Sequence, residues 1–189
     1  LHLYNTTIKL DSPAPGSWKS TIITVIPKAG DLTLPKNYRP ICTIPLLYKL
    51  FSRLLYDRLQ PTLDAKQTGD QAGFRPGHST NDHLFTFHIL REKAQEWNQS
   101  LWIAALDFKK AFDTVEHESI WAALRAQGVR PGYVAILWHL YDGQTATVRT
   151  DVTSRTFTLR RGTKQGDPLS SLLFNALLQH ISTPLITQW

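Results

Sequence analysis

The sequence predicts a mixed α+β fold, on three observations. Long apolar stripes at helical spacing alternate with short β-branched runs. The strands are few, and no regular strand–helix alternation runs along the chain, as a doubly wound sheet would require. Two alternating segments, "TATVRT" (145–150) and "RTFTLR" (155–160), flank "DVTS" and read as a hairpin.

In chain order, residues 1–20 are mixed, and the prolines and glycine of "DSPAPGSW" (11–18) predict an extended loop. "TIITVIP" (21–27) is a β-branched strand stopped by Pro27. "KAGDLTLPKNYRP" (28–40) is polar and turn-rich, a predicted loop. Between Thr43 and Leu63, Leu47, Phe51, Leu54, Leu55, Leu59 and Leu63 recur at helical spacing, with Pro61 expected to disturb the last turn. After the irregular "KQTGDQAGFRPGHST" (66–80), Ser79 or Thr80 caps a helix whose apolar face is Leu84, Phe87, Leu90, Ala94 and Trp97. "LWIAALD" (101–107) reads as a strand. Helices follow near 116–127, ended by Gly128, and 131–141, opened by Pro131. In "GDPLSSLLFNALLQHI" (166–181) Asp167 is the N-cap and Pro168 takes the first turn. Leu169, Leu172, Leu173, Ala176, Leu177 and Ile181 form its buried stripe, and Pro184 is expected to end or kink the helix.

The length suits one compact domain, or one with a smaller lobe, and 42% hydrophobic residues suffice for a sizeable core. No apolar run approaches the roughly 20 residues of a membrane helix, and no secretory signal opens the chain. Cys42 is the single cysteine, which excludes a disulfide framework and fits an intracellular setting. His78, His83 and His88 are spaced by five, around a helix rather than along one face, so no zinc site is expected. A net charge of +6 suggests a polyanionic partner. The chain begins with Leu1, contains no Met and ends in "STPLITQW"; both ends read as cuts in something longer.

Asp107 raises the chemical question. Both faces of Leu101–Leu106 are apolar, so the strand is expected to be covered on both sides. An ionised carboxylate at its end is costly unless paired or holding a metal. It either caps the following turn beside Lys109 or Lys110, or serves as a ligand. Asp113 reads as an acid favouring a helix start.

"AALDFKKAFDTV" (104–115) resembles the first catalytic motif of reverse transcriptases, and "RGTKQGDPLSSLLFN" (161–175) resembles the next. "WKSTIITVIPKAGD…PKNYRPI" (18–41) and "DQAGFRPGHSTNDH" (70–83) are similar to the two preceding blocks. The wording is most similar to non-LTR, LINE-type retrotransposons, in order from Trp18 to Gln179. This resemblance implies the fingers and partial palm of a right-hand polymerase without its thumb: about 18–100 fingers and fingers-to-palm, about 101–189 partial palm. It implies an RNA template, a DNA primer and dNTPs as partners, no membrane, and Mg2+, or Mn2+ in its place, as cofactor. It also implies a nuclear location, although no targeting signal is visible.

Residue by residue, Asp107 matches the catalytic metal-binding aspartate, and the backbone carbonyl of Phe108 would be a second oxygen ligand. Phe112 matches the position under the incoming sugar, where a bulky ring excludes a 2′-hydroxyl; on its own it reads as a core aromatic. Lys28 and Arg39 match triphosphate contacts, since a flexible ammonium and a forked guanidinium suit phosphate oxygens; alone they are loop cations. Gln165 would hydrogen-bond the sugar and Gly166 lets backbone approach closely; "GTKQGDP" also reads simply as a turn feeding a capped helix. Arg75 matches a template-backbone contact, with solvated surface as the alternative. Asp167 reads as a cap, not a third metal ligand.

The family's next motif, an aromatic-Ala-Asp-Asp hairpin, does not occur: the sequence contains no Asp-Asp pair, and Asp167 is its last acid. One carboxylate cannot clamp two ions. The expectation is therefore a polymerase by ancestry that is inactive as this chain alone, with apolar surface exposed beside the Asp107 strand. The alternatives are a non-catalytic nucleic-acid-binding remnant, a group II intron maturase-like reverse transcriptase, and a neutral relic.

Overall fold

A computed structural model describes residues 2–10 and 12–186. Asp11 of the expected loop and residues 187–189 of the expected partial palm lie outside the described residues. Helices α1 (His2–Lys9) and α2 (Gly16–Lys19) precede strand β1 (Ser20–Pro27). Strand β2 (Tyr38–Thr43) and helices α3 (Leu46–Asp64) and α4 (Thr80–Glu96) follow. Then come α5 (Ala111–Thr114), α6 (His117–Ala126), α7 (Pro131–Tyr141), the pair β3 (Thr145–Arg149) and β4 (Phe157–Thr158), and α8 (Pro168–Ile186).

The sheet order is β2-β1-β3-β4. β1 pairs antiparallel with β2 and parallel with β3, and the β3–β4 pair is the expected hairpin, with Ala146 opposite Phe157. β2 begins inside the expected loop 28–40 and runs on to Thr43. It is an edge strand, so Pro40 removes no ladder bond that a neighbour on the open side would need.

Helix α8 is the axis of the core. Leu169, Leu172, Leu173, Ala176 and Leu177 are buried as expected, and the helix packs against α3 on one side and α6 on the other. Ile181 is exposed instead, and α8 continues through Pro184. On α3 the buried residues are Tyr48, Phe51, Ser52, Leu55, Leu59 and Leu63; Leu47 is exposed, so the stripe is rotated by one residue at its start. Pro61 sits in the helix three residues before its end. Trp18 of α2 packs on Phe51, with ring centroids 5.1 Å apart, and tucks the start of β1 against α3.

Two expectations are corrected. Residues 101–107 form no strand, and they are exposed, Trp102 at 92% and Leu106 at 85%. A strand exists only as part of a ladder, and among the described residues none pairs with this segment. Helix α4 forms where expected, with a capping box between Ser79 and Asp82, but none of its residues is buried. Its apolar face, including Leu84, Phe87 and Leu90, therefore has no cover among the described residues.

A buried polar network joins α3 to the start of α8. Asp167 accepts hydrogen bonds from Tyr48 Oη (2.6 Å), from Ser52 Oγ and from the backbone N–H of Leu169 (3.1 Å). It is the cap expected from sequence. Lys164 lies beside it, donating to the carbonyl of Trp18 at 2.7 Å and sitting 4.3 Å from the centre of the Tyr48 ring. Burial lowers the Lys164 pKa to about 8, against the opposing pull of Asp167.

Between pH 8 and the unfolded value of 10.5, the unfolded chain holds a proton on Lys164 that the folded chain has released. Stability from this group therefore rises with pH across that window. Urea unfolding at pH 7.5 and pH 10 should show the wild type gaining about 1–3 kcal/mol relative to Lys164→Met. Parallel pH profiles for the two proteins would contradict the shift.

Candidate active site

Four of the residues singled out in the sequence meet in one cavity of about 440 Å3: Lys28, Arg39, Phe112 and Gln165. Lys36, Lys110 and Asp113 share its wall.

The sheet edge supplies the first side. Lys28 follows β1 directly, and its backbone N–H donates to Asn37 O at 2.7 Å, closing the loop between β1 and β2. Inside that loop Asn37 Nδ2 donates to Asp31 O at 2.6 Å. Asp31 in turn accepts from the backbone N–H and hydroxyl of Thr33, which holds its carboxyl below the usual carboxylate range. Arg39 stands opposite Ile26 in the β1–β2 ladder and is exposed. Lys36 lies on the short 3-10 turn between them.

The second side is the turn around α5. Lys110 adopts a left-handed conformation, φ 52°, and its carbonyl accepts from Asp113 N at 2.9 Å. The turn leaves Phe112 packed on Phe174 and Phe74, with ring centroids at 4.7 and 5.7 Å. Phe112 is thus both a packed aromatic and a wall of the cavity.

The third side is the loop before α8. Gln165 Nε2 donates to Asp113 Oδ1 at 2.8 Å, and Gln165 O accepts from Cys42 N at 3.2 Å. Gly166 follows at φ 102°, a conformation that favours glycine, and a Cβ there would sit 3.6 Å from Cys42 O. Burial pushes the Cys42 thiol pKa up, so it is no candidate nucleophile.

Asp107 and Phe108 do not line this cavity. Asp107 is exposed in the unpaired segment, and Phe108 borders a separate, mostly apolar cavity of about 420 Å3 with Phe174 and Leu177. Among the described residues no group of three or more His, Cys, Asp or Glu side chains is placed to hold a metal ion. Arg75 also departs from expectation. Its side chain is 10% exposed, and it donates to Asp64 Oδ1, Thr68 O and Gln71 O, each at 2.8 Å. Its Nε and Nη1 are thus engaged within the fold.

Sequence reasoning missed Lys36 and Lys110 as cavity cations and took Asp113 for a helix-start acid. Lys36 carries no local signal, and Lys110 reads locally only as a neighbour of Asp107; the folding of two distant turns onto one cavity brings both into its wall.

Residues 26–189 match the family model described as reverse transcriptase (RNA-dependent DNA polymerase). The chain is similar to a "Retrovirus-related Pol polyprotein from type-1 retrotransposable element R2" of Popillia japonica, 36% identical over 88% of this chain and 24% of the relative. A counterpart from type-2 retrotransposable element R2DM of Drosophila melanogaster is 32% identical over 88% of this chain and 16% of its own length. The chain thus spans about a quarter or less of these relatives. Among solved structures, apo telomerase from Candida tropicalis, truncated from its C-terminal domain, superposes with a TM-score of 0.61 over 94% of this chain and 41% of that one. At 16% identity, that likeness shows the fold.

Replacing Arg75 by Ala strands the Asp64 carboxylate and two carbonyls. It should cost about 2–3 kcal/mol in urea unfolding, and Arg75→Lys should recover only part, because an ammonium cannot reproduce the fork. Unchanged stability in Arg75→Ala would return the residue to the surface.

Proposed function

Because the chain belongs to the reverse transcriptase (RNA-dependent DNA polymerase) family, we propose that it is the nucleotide-binding fingers and partial palm of an RNA-directed DNA polymerase from a LINE-type retrotransposon. The observation that carries this is the convergence of Lys28, Lys36, Arg39 and Lys110 on one cavity whose other walls are Phe112 and Gln165. Four cations around one cavity against a single carboxylate, Asp113, suit a triphosphate. The Phe112 ring suits the flat underside of a deoxyribose, with no room for a 2′-hydroxyl. Gln165 offers the sugar a hydrogen bond, and Gly166 leaves the backbone free to come close. An RNA template and a DNA primer are the partners this reading requires.

Reverse transcriptases as a family generally use divalent metal. Here Asp107 and the Phe108 carbonyl are the proposed oxygen ligands of Mg2+, or of Mn2+. The described residues do not fit a two-ion clamp by themselves, since no group of three or more His, Cys, Asp or Glu side chains among them is placed to hold a metal ion. No chemical step is therefore assigned through the metal. What the residues of this chain do is bind the triphosphate, orient the sugar and exclude the ribonucleotide. The retrotransposon relatives support this reading over a maturase.

The test is equilibrium binding of dTTP to the 189-residue chain. Lys28→Ala and Arg39→Ala should each weaken it about 5–30-fold, the loss of one charge-assisted contact. Primer extension on an RNA template with Mg2+ should be absent from the same preparation. Nucleotide affinity indifferent to both substitutions overturns the cavity as the site. Salt-sensitive RNA binding with no dTTP binding favours the non-catalytic nucleic-acid-binding reading instead.

A further inference from the structure

We propose that Asp113 is a positioning residue for the nucleoside, acting through Gln165; the inference rests on the nucleotide reading of the cavity. Asp113 and Gln165 belong to two segments zipped together. Thr163 N donates to Phe112 O at 2.8 Å, Gly162 N donates to Val115 O at 2.7 Å, and Glu116 bridges to Arg161 beyond them. The segments touch so closely that a Cβ on Gly162 would lie 2.8 Å from Asp113 O. Their backbones are therefore set relative to each other. The remaining freedom at the cavity is the orientation of the Gln165 amide, and the Asp113 carboxylate removes it.

The chemistry gives that contact a direction. An ionised carboxylate only accepts, so it must take the amide N–H of Gln165, as the 2.8 Å bond shows. With that N–H spent on Asp113, the amide keeps its oxygen acceptor and a single N–H for a ligand. An acceptor engages a hydroxyl or amine donor of a nucleoside and is indifferent or averse to phosphate oxygens. The carboxylate itself also lines the cavity and repels phosphate, whereas Lys28, Lys36 and Arg39 line it from the β1–β2 edge. Asp113 thus divides the cavity into a nucleoside end and a triphosphate end, and sets the polarity in which a nucleotide enters.

The experiment compares two probes, dTTP and inorganic tripolyphosphate, on the 189-residue chain. Asp113→Ala and Asp113→Leu both remove the acceptor; the second keeps the side-chain volume, so that one folded variant suffices. Either should weaken dTTP about ten-fold while leaving tripolyphosphate undiminished, since a repelling charge is removed. Gln165→Ala added to either should cost nothing more, because the two residues act as one unit. Asp113→Asn keeps a carbonyl that can accept from Nε2 and should restore the preference for dTTP. Equal weakening of both probes, or an additive Gln165 effect, makes Asp113 merely structural and overturns the inference. A wild type that binds tripolyphosphate and dTTP equally overturns it as well, while leaving the cation cavity standing. A wild type that binds neither overturns the nucleotide reading itself.

Discussion

The Asp167 carboxylate is the constraint on which the rest of the structure depends. It is buried between two helices far apart in sequence, and it takes hydrogen bonds from Tyr48 and Ser52 of α3 and from the first turn of α8. A charge in such a place is tolerable only when its lone pairs are filled, and removing any partner leaves an unpaired buried group. The pairing therefore fixes where α8 begins against α3. Lys164, three residues earlier, is fastened to Trp18 of α2, just ahead of β1. The loop that holds Gln165 and Gly166 is thus pinned at both ends, and its middle is left as the only part free to present groups to a ligand.

That arrangement separates rigidity from function in the usual way: the scaffold is helix and sheet, and the chemistry sits on the turns it positions. The cavity's three sides come from the β1–β2 edge, the α5 turn and the loop before α8. None makes a binding site by itself. The sheet ladder sets Arg39, the left-handed Lys110 sets Phe112 and Asp113, and the Asp167 network sets Gln165. The cations and the single acid share one cavity because these anchors are independent and all buried or hydrogen-bonded.

How much of this could be read in the sequence follows from what each element needs. α6, α7 and α8 were legible because their caps, prolines and stripes are local signals. β2 was not, because Pro35 and Pro40 read as turn residues, and its strand character comes from pairing with β1. Segment 101–107 fails in the opposite direction. Its pattern is that of a strand, but pattern says only which faces want burial, not that a neighbour is present to supply the ladder. Of the site, Lys28, Arg39, Phe112 and Gln165 came from motif resemblance and do share a cavity. Arg75 came from the same source, and its local partners Asp64, Thr68 and Gln71 claim it instead. Asp113 was taken as a local acid because its partner lies 52 residues away.

The exposed segment and the isolated Asp107 are one fact rather than two. A carboxylate can hold a hard cation in defined geometry only if its backbone is held, and here the backbone around Asp107 has neither ladder nor cover. The groups that line the cavity, by contrast, each hang from a hydrogen-bonded anchor. The proposed nucleotide site and the proposed metal ligand thus differ in how far this chain's own packing assembles them. The first is built from residues that complete each other. On the proposed reading, Asp107 would take its placement as a metal ligand from groups that pair with the segment 101–107, so nucleotide binding and metal organisation would be separable in this fold.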